Sequence, residues 1–358
     1  MDAEAVTPAA GGYRLPAEWE SHEATWIGWP HNTSDWPGKF APIPWVYGEI
    51  ARSIAPGETV RALVESRTHE ESARRVLTRA GVDAGRIEFL RFPTDRGWTR
   101  DSGPAFLVNS AGRPALACFG FNGWARYDDY RRDARLPDRI ARALVLRAFK
   151  ATLGGREVVL EGGAIDVNGA GTLVTTEECL LDPKVQTRNP GMTRRDYERI
   201  FREYLAAGNV LWLSRGIAGD DTHGHVDDVC RFVDRQTVAL CREENPADEN
   251  HRPLEENRER LEGMRLENGA KLEVVFLPMP SPLFFDGRRL PASYANFYVA
   301  NAAVLVPTFN DPKDRVALGV LSEIFADRPV VGIHAVDLVW GLGTIHCLTR
   351  QQPGEKAP

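Results

Sequence analysis

The chain has 358 residues, 43% of them hydrophobic and 26% charged, and 50 acidic against 44 basic side chains leave a formal net charge of -6. This balance supplies a packed core, excludes a disordered chain, and disfavours a general surface for nucleic acid or anionic membrane. Five widely spaced cysteines, Cys118, Cys179, Cys230, Cys241 and Cys347, include no Cys-x-x-Cys pair, which argues against a disulfide framework or structural zinc.

The opening MDAEAVTPAAGGYRLPAEW has no basic region leading into an apolar run, and no stretch approaches the length of a membrane helix, so a reducing cytoplasm is expected. In chain order, EATWIGWP from Glu23 reads as a strand and Pro44 to Ala55 as a helix. A strand over Thr59 to Val64 leads to a helix over Thr68 to Ala80, where Thr68 and Glu71 have capping-box spacing. RDSGPAFLVNSAGRPALACF from Arg100 has a Gly-rich lead-in, a strand, a tight turn and a second strand. A helix over Pro137 to Phe149 and a strand over Glu157 to Leu160 follow. The same sequence of signals then returns. The hairpin EGGAIDVNGAGTLVTT from Glu161 precedes a helix over Thr193 to Ala206 and a strand over Val210 to Leu213. HVDDVCRFVDRQTVALC from His225 precedes a helix over Pro253 to Asn268 and a strand over Lys271 to Phe276. SYANFYVANAAVLVPTF from Ser293 precedes a helix over Asp311 to Ala326 and a strand over Pro329 to Ile333. A fifth lead-in, GLGTIHCLT from Gly341, has no following partner, so the strand from Glu23 is the natural one to close it.

An ordinary α/β sheet with incidental hairpins fits this pattern as well as a pseudo-repetitive α/β ring does. The reactive residues favour the ring, because Asp101, Glu161, His225 and Cys347 all fall at lead-ins and a ring would gather them at one end of its axis. Cys347 lies in a glycine-rich stretch and needs a neighbouring cation to hold its thiolate near neutral pH. The other four cysteines sit in or beside apolar strands and read as structural. Asp220-Asp-Thr-His-Gly-His-Val-Asp-Asp is open to two readings, a divalent-metal cluster or an extended strand projecting His225 and Asp227 to one face. Trp98 and Asp101 pair an aromatic face with a carboxylate, which suits a planar cation. One thiol, one histidine and three carboxylates match amidine hydrolysis, with two carboxylates gripping a guanidinium while the thiolate attacks its carbon. That chemistry needs no cofactor and no metal.

Over LPAEWESHEATWIGWP, WTRDSGP, EGGAID, THGHVDD, LPASYANFY and GLGTIHCLTRQQP, the sequence resembles the agmatine deiminase family, close to bacterial peptidyl-arginine deiminases in the guanidino-group modifying superfamily. The resemblance implies one five-bladed α/β propeller (pentein) domain over residues 1–358, converting agmatine and water to N-carbamoylputrescine and ammonia. It implies Cys347 as nucleophile, His225 as general acid/base, Asp101 and Asp227 as guanidinium carboxylates, Glu161 as the group orienting the histidine, and Trp98 as an aromatic wall. Asp220 or Asp221 would meet the far amine. Gly341-Leu-Gly-Thr departs from the Gly-Gly-Gly-Asn found before Ile-His-Cys in many members. The alternatives are another guanidino substrate, such as peptidyl or methylated arginine, an amidinotransferase, or a propeller serving only as a binding scaffold. The expected partner is a small cationic guanidinium compound, with no nucleic acid and no membrane, and self-association is left open.

Overall fold

The computed structural model describes residues 7–354, so the first residues of the opening segment lie outside it. Its plan is one small motif used five times: an antiparallel strand pair followed, across a helix, by a third strand parallel to the second. The motif appears as Ile165–Val167, Thr172–Thr176 and Asn209–Leu213. It returns as Cys230–Phe232, Thr237–Arg242 and Glu273–Pro278, and again as Tyr298–Val299, Val304–Thr308 and Val330–His334. Ala105–Asn109, Pro114–Cys118 and Ala148–Lys150 form a fourth copy, widened by Tyr13–Arg14 at its edge. In the remaining copy Thr349–Pro353 pairs antiparallel with His22–Gly28, which runs parallel to Thr59–Leu63 and then to Ile87–Leu90. Two distant segments therefore share one sheet. The fold is mixed α/β, and no sheet among the described residues closes on itself.

Helices cover these sheets through apolar faces. In Ile43–Ile54 the buried Ile43, Tyr47, Ile50 and Ile54 recur at helical spacing and face the core. The helix Arg194–Leu205 begins at Thr193, whose hydroxyl and Asp196 form a capping box, and Asp311 with Asp314 does the same for Pro312–Ile324. Other boundaries differ from the sequence expectation. The helix expected from Thr68 spans Arg67–Arg79 and is capped by Ser66, whose Oγ accepts from His69 N at 3.2 Å. The one expected to reach Phe149 stops at Leu144, because Val145 turns left-handed at φ 53° and Ala148–Lys150 is drawn into the sheet beside Pro114–Cys118. The one expected to reach Asn268 spans His251–Leu261, ending two residues before Gly263 at φ 81°. Of the strand expected over Glu157 to Leu160, only Glu157 lies in a ladder, the short ribbon of Arg156–Glu157 with Thr152–Leu153, and Val159 makes an isolated bridge to Gly120.

The motif matters because each copy is led by a short turn that enters its first strand from the interior. Asp101 lies in Thr99–Ser102, Glu161 precedes Gly162–Ala164, His225 precedes Val226–Asp228, and Cys347 lies in Ile345–Leu348. Asn296 occupies the equivalent place before Tyr298–Val299. Glu18, 3% exposed over its side chain, ties these leads together. Its carboxylate accepts from Arg100 Nη2 at 3.1 Å, Arg231 Nη2 at 2.9 Å and Val299 N at 2.9 Å, and lies 2.8 Å from His346 Nε2. A carboxylate so deep is held only because two guanidinium groups compensate its lost hydration.

Candidate active site

Trp98, Asp101, Trp124, Tyr127, Asp221 and Cys347 line a cavity of about 170 Å³ that leads inward from the surface. Asp101 forms one wall. Its Oδ1 accepts from Gly163 N at 2.9 Å and its Oδ2 from Trp124 Nε1 at 2.9 Å, so both oxygens are fixed in direction. His225 lies behind, with Nδ1 3.8 Å from Asp101 Oδ1 and 4.0 Å from Asp227 Oδ1. Neither His225 ring nitrogen has a hydrogen-bond partner. Gly163 makes this approach feasible, since a Cβ there would stand 2.5 Å from His225 Nδ1.

Cys347 Sγ lies 3.6 Å from Asp227 Oδ2 and accepts from Asn296 Nδ2 at 3.1 Å. Asn296 is itself pinned: its Oδ1 accepts from Thr344 Oγ1 at 2.7 Å and from His346 N at 3.1 Å, and its amide also donates to Asp228 Oδ1 at 3.0 Å. Asp227 Oδ2 pairs with His346 Nδ1 at 2.7 Å, leaving Oδ1 buried without a partner. Glu161 Oε1 accepts from Arg188 Nε at 2.9 Å, while Oε2 has none. Unsatisfied buried oxygens are costly unless a donor or cation reaches them.

The electrostatics form a consistent set. Burial drives the Cys347 thiol well above its ordinary pKa, and the neighbouring charges of Asp227, Asp228 and Asp101 push it further. Burial alone would lower the pKa of His225, but the neighbouring Asp101, Cys179 and Asp227 outweigh it and hold the imidazolium charged. Burial would raise Glu161, yet Arg188 and then His225 keep it ionised below its ordinary range. The resting pair is thus thiol and imidazolium, and a cation entering the pocket would favour the thiolate.

Each residue expected from the sequence has a definite place. Cys347, His225, Asp101, Asp227 and Glu161 converge, and Trp98 lines the cavity with its ring 5.5 Å from that of Trp36. Asp221 also lines it, its Oδ2 accepting from Tyr127 OH at 2.5 Å. Asp220 does not. Its carboxylate accepts from Thr222 N and Oγ1, Gly224 N and His225 N, so it shapes the loop that presents His225. Cys179, expected to be a structural strand residue, follows the cap Thr176 in a short helix and belongs to the site's second layer. Its Sγ, a Glu161 oxygen and a His225 ring nitrogen all lie within 4.8 Å of one another, a set able to hold a metal ion. Asn296 was quoted within LPASYANFY without a role, and Trp124 and Glu18 carried no signal beyond residue type. The departing loop is also clear. Leu342 adopts φ 66°, Thr344 takes the polar contact to Asn296, and Gly343 is required because a Cβ would meet Trp98 at 2.9 Å and Cys347 Sγ at 3.2 Å.

A family profile described as Porphyromonas-type peptidyl-arginine deiminase matches residues 14–353, nearly the whole chain. The chain belongs to that family. Among curated relatives, an agmatine deiminase of Pseudomonas aeruginosa (strain LESB58) is 35% identical, covering 99% of this chain and all of its own. One from Ectopseudomonas mendocina is 33% identical over 99% of both. Among solved structures, an agmatine deiminase of Enterococcus faecalis superposes with a TM-score of 0.89 at 29% identity, covering 99% of each chain. One of C. jejuni gives 0.78 at 26%, over 95% and 96%. No helix of the described residues is long and apolar enough to cross a membrane.

Proposed function

We propose that this member of the family hydrolyses agmatine to N-carbamoylputrescine and ammonia through a covalent intermediate on Cys347. The observation that carries this reading is a cavity lined by the thiol of Cys347 and the carboxylates of Asp101 and Asp221, with the imidazole of His225 and the carboxylate of Asp227 packed directly against its lining. Asp101 and Asp227 receive the guanidinium N–H groups, and Trp98 gives its plane an aromatic wall. The substrate's charge draws the thiol proton off to solvent. Sulfur then bonds to the central carbon, His225 gives its proton to one nitrogen, the carbon–nitrogen bond breaks, and ammonia leaves a thiouronium. Neutral His225 takes a proton from water, hydroxide adds to the same carbon, and the carbon–sulfur bond breaks to give the ureido product. Glu161 orients His225 throughout, and Asp221 receives the distal ammonium.

In this reading the five motifs form one pseudo-symmetric propeller domain of a cytoplasmic enzyme, with the leads of its blades meeting at the axis. Ammonia release measured across agmatine, arginine, a methylated arginine and an arginine peptide tests the assignment. Agmatine should turn over fastest, and an arginine rate above it would overturn the substrate, while a guanidinylated acceptor in place of ureido product would overturn the hydrolysis.

A further inference from the structure

Beside Glu161 and His225 lies a buried thiol, Cys179, that the hydrolysis does not use. We propose that Glu161, Cys179 and His225 form a binding site for a thiophilic divalent cation, Zn2+ being the best match, and that its occupation arrests the enzyme.

Three observations converge. One sulfur, one nitrogen and one oxygen, each from a different chain segment, lie within 4.8 Å of one another, and Zn2+ is the common ion that accepts all three donor types. Glu161 Oε2 and both His225 nitrogens are buried without a hydrogen-bond partner. Glu161 is 0% exposed, His225 1% and Cys179 2%, so none of them satisfies its donors or acceptors with bulk water. Arg188 binds only Oε1 of Glu161, which leaves the other oxygen for a ligand. Bonds of about 2.0–2.3 Å around a tetrahedral ion put donors roughly 3.3–3.8 Å apart, so closure needs rotamer shifts of at most about an ångström. The nearby carboxylates of Asp101 and Asp227 add a favourable field for a dication.

Binding takes the thiol proton of Cys179 and the acidic proton of His225 to solvent, and the metal–sulfur and metal–nitrogen bonds replace them. A metallated imidazole keeps only its second N–H, far too weak an acid to protonate a leaving nitrogen. The arrest therefore rests on the reading of His225 as proton carrier, whereas the binding stands independently of it.

The test is made on the full-length protein, and it separates the two. Metal-free protein is titrated with ZnCl2 and with CoCl2, following metal stoichiometry and the near-ultraviolet thiolate-to-cobalt charge-transfer absorption. Cys347→Ala should still take up one equivalent and show the absorption, which removes the nucleophile as the sulfur donor. Cys179→Ser should lose the absorption, and Cys179→Ala guards against a serine that misfolds or ligates. Inhibition of ammonia release, normalised to each variant's metal-free rate, should need at least about tenfold more Zn2+ in both Cys179 variants, and EDTA should reverse it. Absorption lost in Cys347→Ala but kept in Cys179→Ser would overturn the site. Metal uptake at Cys179 without inhibition would leave the site standing and sink the role of His225.

Discussion

Asn296 Nδ2 lies 3.1 Å from Cys347 Sγ. It is a neutral donor beside the proposed nucleophile, and it opposes the burial and the charges of Asp227, Asp228 and Asp101 that raise the thiol. Replacing Asn296 with Asp keeps the shape and removes the donor. The expected loss in kcat is about 10²-fold, the scale of one preorganised hydrogen bond. Steady-state ammonia release checks it, and thermal unfolding tells a chemical loss from a folding one.

A thiol held above its ordinary pKa should react slowly with a neutral alkylating agent at neutral pH, faster as pH rises. An amidinium-bearing agent carries its own cation to Asp101 and Asp227. Chloroacetamidine should therefore inactivate the enzyme at least about tenfold faster than chloroacetamide, each unit of thiol pKa being worth about a factor of ten. Cys347→Ala should abolish adduct formation by both agents in intact-mass measurements. Equal rates would remove the electrostatic argument.

Tyr127 and Asp221 make a second prediction about substrate length. Burial raises the Asp221 carboxyl, and the hydroxyl of Tyr127 opposes this. Tyr127→Phe should weaken the ionised carboxylate and raise KM for agmatine about tenfold, the cost of one hydrogen bond to a charged group. Turnover of a butylguanidine without the amine should be nearly unaffected. Equal loss on both substrates would place Tyr127 in scaffolding instead.

Glu18 gives the acid limb of stability. Burial would raise its carboxyl, but Arg231, His346 and Arg100 hold it well below the ordinary range. A carboxyl depressed in the fold contributes stability that is fully present above its unfolded pKa of about 4.3 and is lost as pH falls toward the folded value. Thermal midpoints should drop as pH goes from about 5 to about 3. Glu18→Gln should cost about 3–5 kcal/mol near neutral pH, by leaving Arg100 without its carboxylate and Arg231 with Asp166 alone, and should flatten that acid slope. Calorimetry on both forms checks the pair of outcomes.

Much of this was readable in the chain. Hairpin lead-ins such as Glu161-Gly-Gly are short, local and rich in turn residues, so both the repeated motif and its reactive residues stand out. What could not be read depends on contacts across hundreds of residues. The function of Asp220 turned on loop hydrogen bonds that no spacing encodes. Asn296 looks like any polar residue in an aromatic-rich strand until Cys347 is brought against it. Helix ends failed where the sheet competed, as at Val145, because propensity is weaker than strand pairing. Cys179 lies beside an apolar strand, as its sequence suggests, and only the fold brings its sulfur near His225.

The pairing of His22–Gly28 with Thr349–Pro353 leaves Gly354 N donating to Ser21 O at 2.9 Å, so the last described residue lies beside a segment near the start of the chain. Covalent order around such an assembly is then a convention. Joining the termini by a flexible linker long enough to reach past Ser21 to the segment before Tyr13–Arg14, and opening the exposed turn at Asp286 and Gly287, should give a permuted chain of the same shape, with the thiol now encoded ahead of the histidine.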